Sequence, residues 1–148
     1  MDCFLKLNNT SPNNSKIKSE KTTVSIVVPG FNEEFIVEKN LEAIYSYMEK
    51  LKDWYSWELI FVNDGSTDRT GELADKFAVD KSNMQVLHHP YNFRLGQALR
   101  YAFSRCRGDY VVVMDLDLSY SLDHIGRMLE KARETNAKIV IASPYMRG

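Results

Sequence analysis

Short β-branched runs alternate with helical patterns along most of the chain, and this alternation restricts the fold more than any other feature. The runs that predict buried strands are Val24–Val28, Leu59–Val62, Met84–Leu87, Tyr110–Met114 and Lys138–Ala142. Between these runs, apolar residues recur with the spacing of one helix face. Strands that alternate with helices imply βαβ units, so the sequence predicts an α/β fold with a mostly parallel sheet.

The first 22 residues differ in composition from the rest of the chain. Residues 1–22 are rich in Asn, Ser, Lys and Thr and hold few large apolar side chains. Such a segment cannot bury enough surface to offset the entropy of ordering it, so we expect a disordered polar tail. Residues 23–148 then form one domain.

Charge and apolar content exclude several classes of protein. The 19 basic and 20 acidic residues nearly cancel, which predicts no nucleic-acid partner. No apolar run approaches the roughly 18 to 20 residues of a membrane span, and the N-terminus lacks the apolar core of a signal peptide. Cys3 and Cys106 match no zinc or redox spacing, so we expect free thiols in a reducing compartment. The chain is therefore expected to be cytoplasmic.

Ligands of open parallel sheets bind at the carboxyl ends of the strands, where three turns of this chain carry polar residues. The turn after Tyr110–Met114 holds Asp115 and Asp117, which occupy positions i and i+2 and so point the same way. Two carboxylates this close repel unless a cation lies between them, and Mg²⁺ commonly combines one or two carboxylates with substrate phosphates. The alternative is a pair of solvated acids or caps of the following helix.

The other two turns are open to two interpretations each. Asp64 either accepts hydrogen bonds from the imide of a nucleic base or is an ordinary residue of an Asp-Gly turn. The turn Pro29–Glu33 either presents Phe31 and polar groups to the same ligand or is a plain strand-to-helix turn with Asn32 as its cap.

Taken together, the three turns resemble those of family 2 glycosyltransferases. The motifs are Val-x-Ile-Val-Val-Pro-x-Phe-Asn-Glu-Glu from Val24, Val-Asn-Asp-Gly-Ser-Thr-Asp from Val62, and Gly-Asp-Tyr-Val-Val-Val-Met-Asp-x-Asp-Leu-Ser from Gly108. The resemblance covers Val24 to Gly148, and the nearest branch is the dolichyl-phosphate mannose synthase group with related polyprenyl-phosphate glycosyltransferases. It implies a Rossmann-like GT-A fold with helices on both faces of the sheet, and a metal-dependent transfer that inverts the anomeric centre.

The resemblance also implies roles for individual residues and partners. The positions that match nucleotide-binding residues are Pro29, Phe31, Glu33, Asp64 and Asp115. The positions that match ligands of Mg²⁺ or Mn²⁺ are Asp115, Asp117 and Ser119. The implied donor is a GDP- or UDP-sugar. The implied acceptor is a polyprenyl phosphate, which would place the protein peripherally at the cytoplasmic membrane face. No residue is identified as a catalytic base.

The chain departs from the family pattern at Arg94, at Leu116, which replaces the usual small residue between the two acids, and at its C-terminal end. Asn92-Phe93-Arg94-Leu95-Gly96 keeps one glycine of the family's Asn-x-Gly-x-Gly and has Arg94 at the other, where a positive φ would strain it. Arg94 either reaches the diphosphate or is a solvated loop residue. Ile141–Gly148 resembles the start of the acceptor-binding half of family members, so we expect a GT-A domain that is incomplete at its C-terminus.

His88 and His89 would point to opposite sides of a strand, which is a poor arrangement for joint metal binding.

Two other functions fit parts of the pattern. An isolated transferase half could bind nucleotide without turnover, as a non-catalytic module. A phosphohydrolase of the haloacid dehalogenase type also has Asp-x-Asp after a strand, with Asp115 as nucleophile. Such enzymes place that strand first and need a later Lys and further acids, for which little chain remains after Asp117.

Overall fold

The computed structural model describes residues 21–142 and the backbone of residues 3–6. The strands are β1 (Cys3–Lys6), β2 (Thr22–Gly30), β3 (Tyr55–Asn63), β4 (Met84–His88), β5 (Tyr110–Val113) and β6 (Ile139–Ile141). The helices are α1 (Val37–Lys50), α2 (Thr70–Ala78), α3 (Leu95–Phe103) and α4 (Asp123–Thr135). Each predicted strand and helix is present, so the α/β prediction is confirmed.

A single sheet joins the strands in the order β4-β3-β2-β5-β1-β6. The four strands β4, β3, β2 and β5 are parallel, with Val28 opposite Phe61 and Ile26 opposite Val112. Strand β1 lies between β5 and β6 and runs antiparallel to both. The carboxyl ends of β2, β3 and β5 therefore meet at one edge of the sheet, as the sequence predicts.

Strand β1 corrects one prediction. The disordered tail proposed for residues 1–22 is wrong for Cys3–Lys6, which lies inside the sheet, and for Thr22, where β2 begins. Backbone hydrogen bonds to strands on both sides can hold a short segment that lacks a long apolar run, and composition does not reveal them. The rest of the proposed tail, residues 1–2 and 7–20, and the end of the chain, residues 143–148, lie outside the described residues.

Helices cover both faces of the sheet. Along β2, Val24, Ile26 and Val28 pack into a core shared with α1, α2 and α4, whereas Val27 packs into a second core under α3. This alternation follows from the two-residue period of a strand. Among the described residues, no helix is both long and apolar enough to cross a bilayer.

The approach to α1 differs from the sequence-based expectation. The helix begins at Val37, so Glu33 lies in the segment that precedes it. Asn32 has a φ of 54° and is not the N-cap, which is Ile36. The residues of this turn are consequently available at the edge of the sheet where the three strands end.

Candidate active site

A cavity of about 470 Å³ opens at the carboxyl ends of β2, β3 and β5. Its lining residues are Pro29, Gly30, Phe31, Glu33, Asp64, Asn92, Arg94, Leu95, Ala98, Asp115, Leu116 and Asp117. All the residues predicted for nucleotide binding lie here, together with both predicted metal-binding aspartates. Ser119 is not part of the lining, but it contacts Asp117.

The turn after β2 is fastened to the loop after β3. The Asn32 side-chain oxygen accepts the Thr67 N–H at 2.8 Å, while the Asn32 N–H donates to the Ser66 hydroxyl at 3.0 Å. The Glu33 N–H donates to the Thr70 hydroxyl at 2.7 Å. These bonds explain why both motifs are rich in Asn, Ser, Thr and acidic residues, since much of their polarity joins the two turns. The sequence did not reveal this role.

The turn after β5 presents the two aspartates. Buried Asn40 of α1 donates to the Leu116 carbonyl at 2.9 Å and thereby holds the centre of the turn. The Ser119 N–H donates to Asp117 Oδ1 at 2.9 Å. Hydrogen bonds from the Ser119 hydroxyl and N–H hold the pKa of Asp117 below its usual value. Asp117 is thus kept ionised and oriented, as a ligand of a cation must be.

The pKa of Glu33 is affected by the other carboxylates of the cavity. Burial raises the pKa of its carboxyl, and the negative charges of Asp117 and Asp115 raise it further, against the lowering effect of the Phe31 N–H. The cavity therefore concentrates carboxylates whose mutual repulsion a bound cation would relieve.

The donor set at this edge suits a hard divalent ion. No group of three or more acidic, His or Cys side chains within the described residues could hold a metal by itself. Asp115 and Asp117 nevertheless supply the one or two carboxylates with which Mg²⁺ is usually bound, the other positions being taken by substrate phosphates and water. The residues present fit an ion that binds together with a diphosphate.

Asp64 is anchored by two residues whose proximity to it is not evident from the sequence. Its Oδ1 accepts a hydrogen bond from His89 Nδ1 at 2.6 Å and another from the Phe93 N–H at 3.1 Å. His88 turns the other way, towards Asp75 at 3.0 Å, so the two histidines do point apart as expected. The adjacency of the two histidines in the sequence does not indicate this contact; the fold brings His89 to Asp64 because β4 pairs beside β3.

Arg94 lies at the rim of the cavity in a conformation that favours glycine. Its φ is 71° and its ψ is 163°, so the strain expected from the missing family glycine is present. Its carbonyl accepts the N–H groups of Gln97 and Ala98 at the start of α3. Arg94 is exposed and is part of the cavity lining.

Comparison with known proteins gives a consistent result. The sequence profile described as "Glycosyl transferase family 2" matches residues 25–148. A dolichyl-phosphate beta-glucosyltransferase of Trichomonas vaginalis is 33% identical over 128 residues, which cover 81% of this chain and 39% of the relative. The dolichol-phosphate mannosyltransferase of Pyrococcus furiosus is 31% identical over 125 residues, covering 84% of this chain and 34% of the relative. The chain thus spans less than two fifths of the length of these relatives.

A solved structure shares the fold. The mannosyltransferase of Pyrobaculum calidifontis in complex with GDP-Man and Mn²⁺ superposes with a TM-score of 0.65 at 23% identity, covering 77% of this chain and 33% of the other. The Rossmann-like GT-A architecture is therefore confirmed for the part of the fold present here. The haloacid dehalogenase interpretation receives no support from these matches.

Proposed function

The chain belongs to glycosyl transferase family 2, and on that premise we propose that its cavity binds a nucleoside diphosphate sugar with Mg²⁺ or Mn²⁺ for transfer of the sugar. The observation that carries the proposal is the convergence of Asp64, Asp115 and Asp117 on one cavity of about 470 Å³. Asp64 would bind the base, and the two aspartates after β5 would lie at the diphosphate.

The metal is proposed to bind Asp115 and Asp117, with Ser119 holding Asp117 in place. When bound there, the ion would neutralise the charge that develops on the departing diphosphate. Arg94 lines the same cavity, and its guanidinium would add positive charge near the phosphates. The solved neighbour with GDP-Man and Mn²⁺ supports a divalent ion in this fold.

We propose a single displacement with inversion. An acceptor oxygen forms a bond to the anomeric carbon as the bond from that carbon to the diphosphate oxygen breaks, and the diphosphate leaves with the electron pair. A phosphate monoester is largely ionised at neutral pH, since its second pKa is about 6. A lipid-phosphate acceptor would therefore attack without losing a proton, and the reaction would need no catalytic base.

The acceptor is proposed to be a polyprenyl phosphate, with the protein at the cytoplasmic face of a membrane. The names of the dolichyl- and dolichol-phosphate relatives support this class of acceptor. Arg94, Arg100 and Arg105 add a physical reason, because these three exposed residues lie in α3 and directly beside it, in a chain whose net charge is −1. Basic segments are attracted to anionic lipid surfaces and to phosphate groups.

Binding of nucleotide tests the proposal directly. A thermal-shift panel of UDP, GDP and their sugars, with and without Mn²⁺, should show a metal-dependent rise in melting temperature. A ligand at about a hundred times its Kd adds roughly 2.7 kcal/mol to the free energy of unfolding. Asp117→Asn should remove the dependence on Mn²⁺, whereas the same change at exposed Asp80, outside the cavity lining, should preserve it.

Transfer is tested separately from binding. Radiolabelled sugar donors with a polyprenyl phosphate in detergent should give a glycolipid whose anomeric configuration, read by NMR, is opposite to that of the donor. Binding without transfer would favour the non-catalytic nucleotide-binding module. Mn²⁺-dependent binding that survives Asp117→Asn would refute the metal role of this residue.

A further inference from the structure

The two oxygens of the Asp64 carboxylate are in different situations. Oδ1 accepts two hydrogen bonds, from His89 Nδ1 at 2.6 Å and from the Phe93 N–H at 3.1 Å. Among the described residues, no donor forms a hydrogen bond with Oδ2. Asp64 is only 4% exposed and its exposed part lines the cavity. A carboxylate oxygen has two acceptor positions, so Oδ1 is saturated and Oδ2 alone is left for a ligand.

His89 is held firmly enough to fix this asymmetry. Its ring stacks on Tyr101, with centroids 5.2 Å apart and planes at 14°, and meets the Phe93 ring edge-on at 4.9 Å. The His89 side chain is 12% exposed. Because a carboxylate oxygen only accepts, Nδ1 must carry the proton in this pair. The imidazole therefore occupies Oδ1 through packing that does not depend on a bound ligand.

The bases of nucleotides differ in what they present to such a carboxylate. Uracil has one imide N–H between two carbonyls, which a single oxygen can accept. Guanine presents two adjacent N–H donors, N1–H and N2–H, which are matched by both oxygens of a free carboxylate. Cytosine replaces the imide N–H by an acceptor nitrogen, whose lone pair would face Oδ2.

We propose that Asp64, with Oδ1 occupied by His89 and Phe93, selects uracil, so that the donor is a uridine diphosphate sugar and His89 is a positioning residue for base recognition. This inference rests on the proposed function of the cavity as a nucleotide site. It adds the identity of the base and assigns a role to a histidine that contacts Asp64 and not the ligand.

The test compares UDP, GDP and CDP by titration calorimetry in saturating Mn²⁺. The three share ribose and diphosphate, so differences in affinity isolate the base. UDP should bind at least about tenfold more tightly than GDP or CDP, because a buried donor or acceptor left without its partner is disfavoured by about that factor.

Three substitutions then separate the role of His89 from the fold. His89→Phe keeps the aromatic contacts with Tyr101 and removes the donor, so UDP affinity should fall about tenfold and the UDP-to-GDP ratio should approach one. His89→Asn can restore an N–H near the position of Nδ1 and should recover part of that ratio. His88→Phe makes the same change one residue earlier, at the partner of Asp75, and should leave the ratio as in the wild type.

Each contrary result refutes a different statement. GDP binding as tightly as UDP would overturn the selection of uracil and leave the proposed function intact. Failure of all three nucleotides to bind the folded chain would overturn both. An unchanged UDP-to-GDP ratio in His89→Phe, with far-ultraviolet circular dichroism and melting like those of the wild type, would overturn the positioning role.

Discussion

Replacing Arg94 with glycine should stabilise the chain and at the same time weaken its binding of a nucleoside diphosphate. Arg94 has a φ of 71° and a ψ of 163°, a region that residues with a Cβ atom rarely adopt. Among the described residues that line the cavity, Arg94 is the one whose side chain carries a permanent positive charge. One substitution therefore removes a strained backbone and a phosphate-directed charge together.

The expected gain in stability is modest. A non-glycine residue in this region costs about 1–3 kcal/mol. Glycine loses more conformational freedom on folding, which offsets about 0.5–1 kcal/mol of the relief. The net change in the free energy of unfolding is about 1 kcal/mol, which corresponds to a rise in Tm of about 3 °C for a domain of this size.

Arg94→Ala is the control that separates backbone from charge. Alanine keeps the Cβ atom and hence the strain, but it lacks the guanidinium. Differential scanning calorimetry should give a higher Tm for Arg94→Gly than for the wild type or Arg94→Ala, whereas calorimetric titration with UDP should show weaker binding for both variants. A Tm of Arg94→Ala as high as that of Arg94→Gly would refute the strain argument.

Four further substitutions and a labelling experiment address the rest of the fold and site. Gly65→Ala should lower the free energy of unfolding by about 2–4 kcal/mol in urea titrations, because its φ is 73° and the new Cβ would overlap the backbone of Tyr91. Gly96→Ala, where no atom lies near the new Cβ, should raise the free energy of unfolding by about 0.5–1 kcal/mol. Equal effects of the Gly65 and Gly96 substitutions on this free energy would contradict the explanation based on backbone conformation and space. Because the pKa of Glu33 is raised in the folded chain, ionisation of this carboxyl destabilises the fold. Glu33→Gln should therefore have a higher Tm at pH 7 than the charge-retaining control Glu33→Asp, and this difference in Tm should shrink as the pH falls to 4. Burial raises the pKa of the Cys106 thiol to about 11, so iodoacetamide at pH 8 should label Cys106 slowly until urea unfolds the chain, as peptide mass spectrometry would show.

The parallel core of the fold was predictable from the sequence because it rests on burial. Strands such as β2 and β5 are covered on both faces, so the runs Ile26–Val28 and Val111–Val113 are entirely apolar and stand out from the surrounding helices. Because these strands are parallel, their carboxyl ends must lie at the same edge of the sheet. Asp64, Asp115 and Asp117 could be placed together for that reason, although each taken alone has an ordinary structural explanation.

The remainder depends on contacts between segments that are distant in sequence. Strand β1 occupies its place through backbone pairing, which leaves little trace in the composition of four residues. His89 reaches Asp64 across 25 residues of sequence, and adjacency to His88 gives no indication of it. The joining of Asn32 to Thr67 spans 35 residues in the same way. Polar side chains reveal their partners only when the register of the sheet is known.

The conformation of the loop between β4 and α3 affects how Asp64 can bind a base. A strained residue such as Arg94 persists only where neighbouring contacts determine its backbone. The N–H of the preceding residue, Phe93, donates to Asp64, and the N–H groups of Gln97 and Ala98 in α3 donate to the Arg94 carbonyl. Gly65, beside Asp64, admits the backbone of this loop at close range. A ligand that binds Asp64 therefore contacts a carboxylate that this loop holds in position. The free energy of ligand binding then depends on how stable this conformation of the loop is. Substitutions that alter the loop should change nucleotide affinity even where the substituted side chain does not contact the nucleotide.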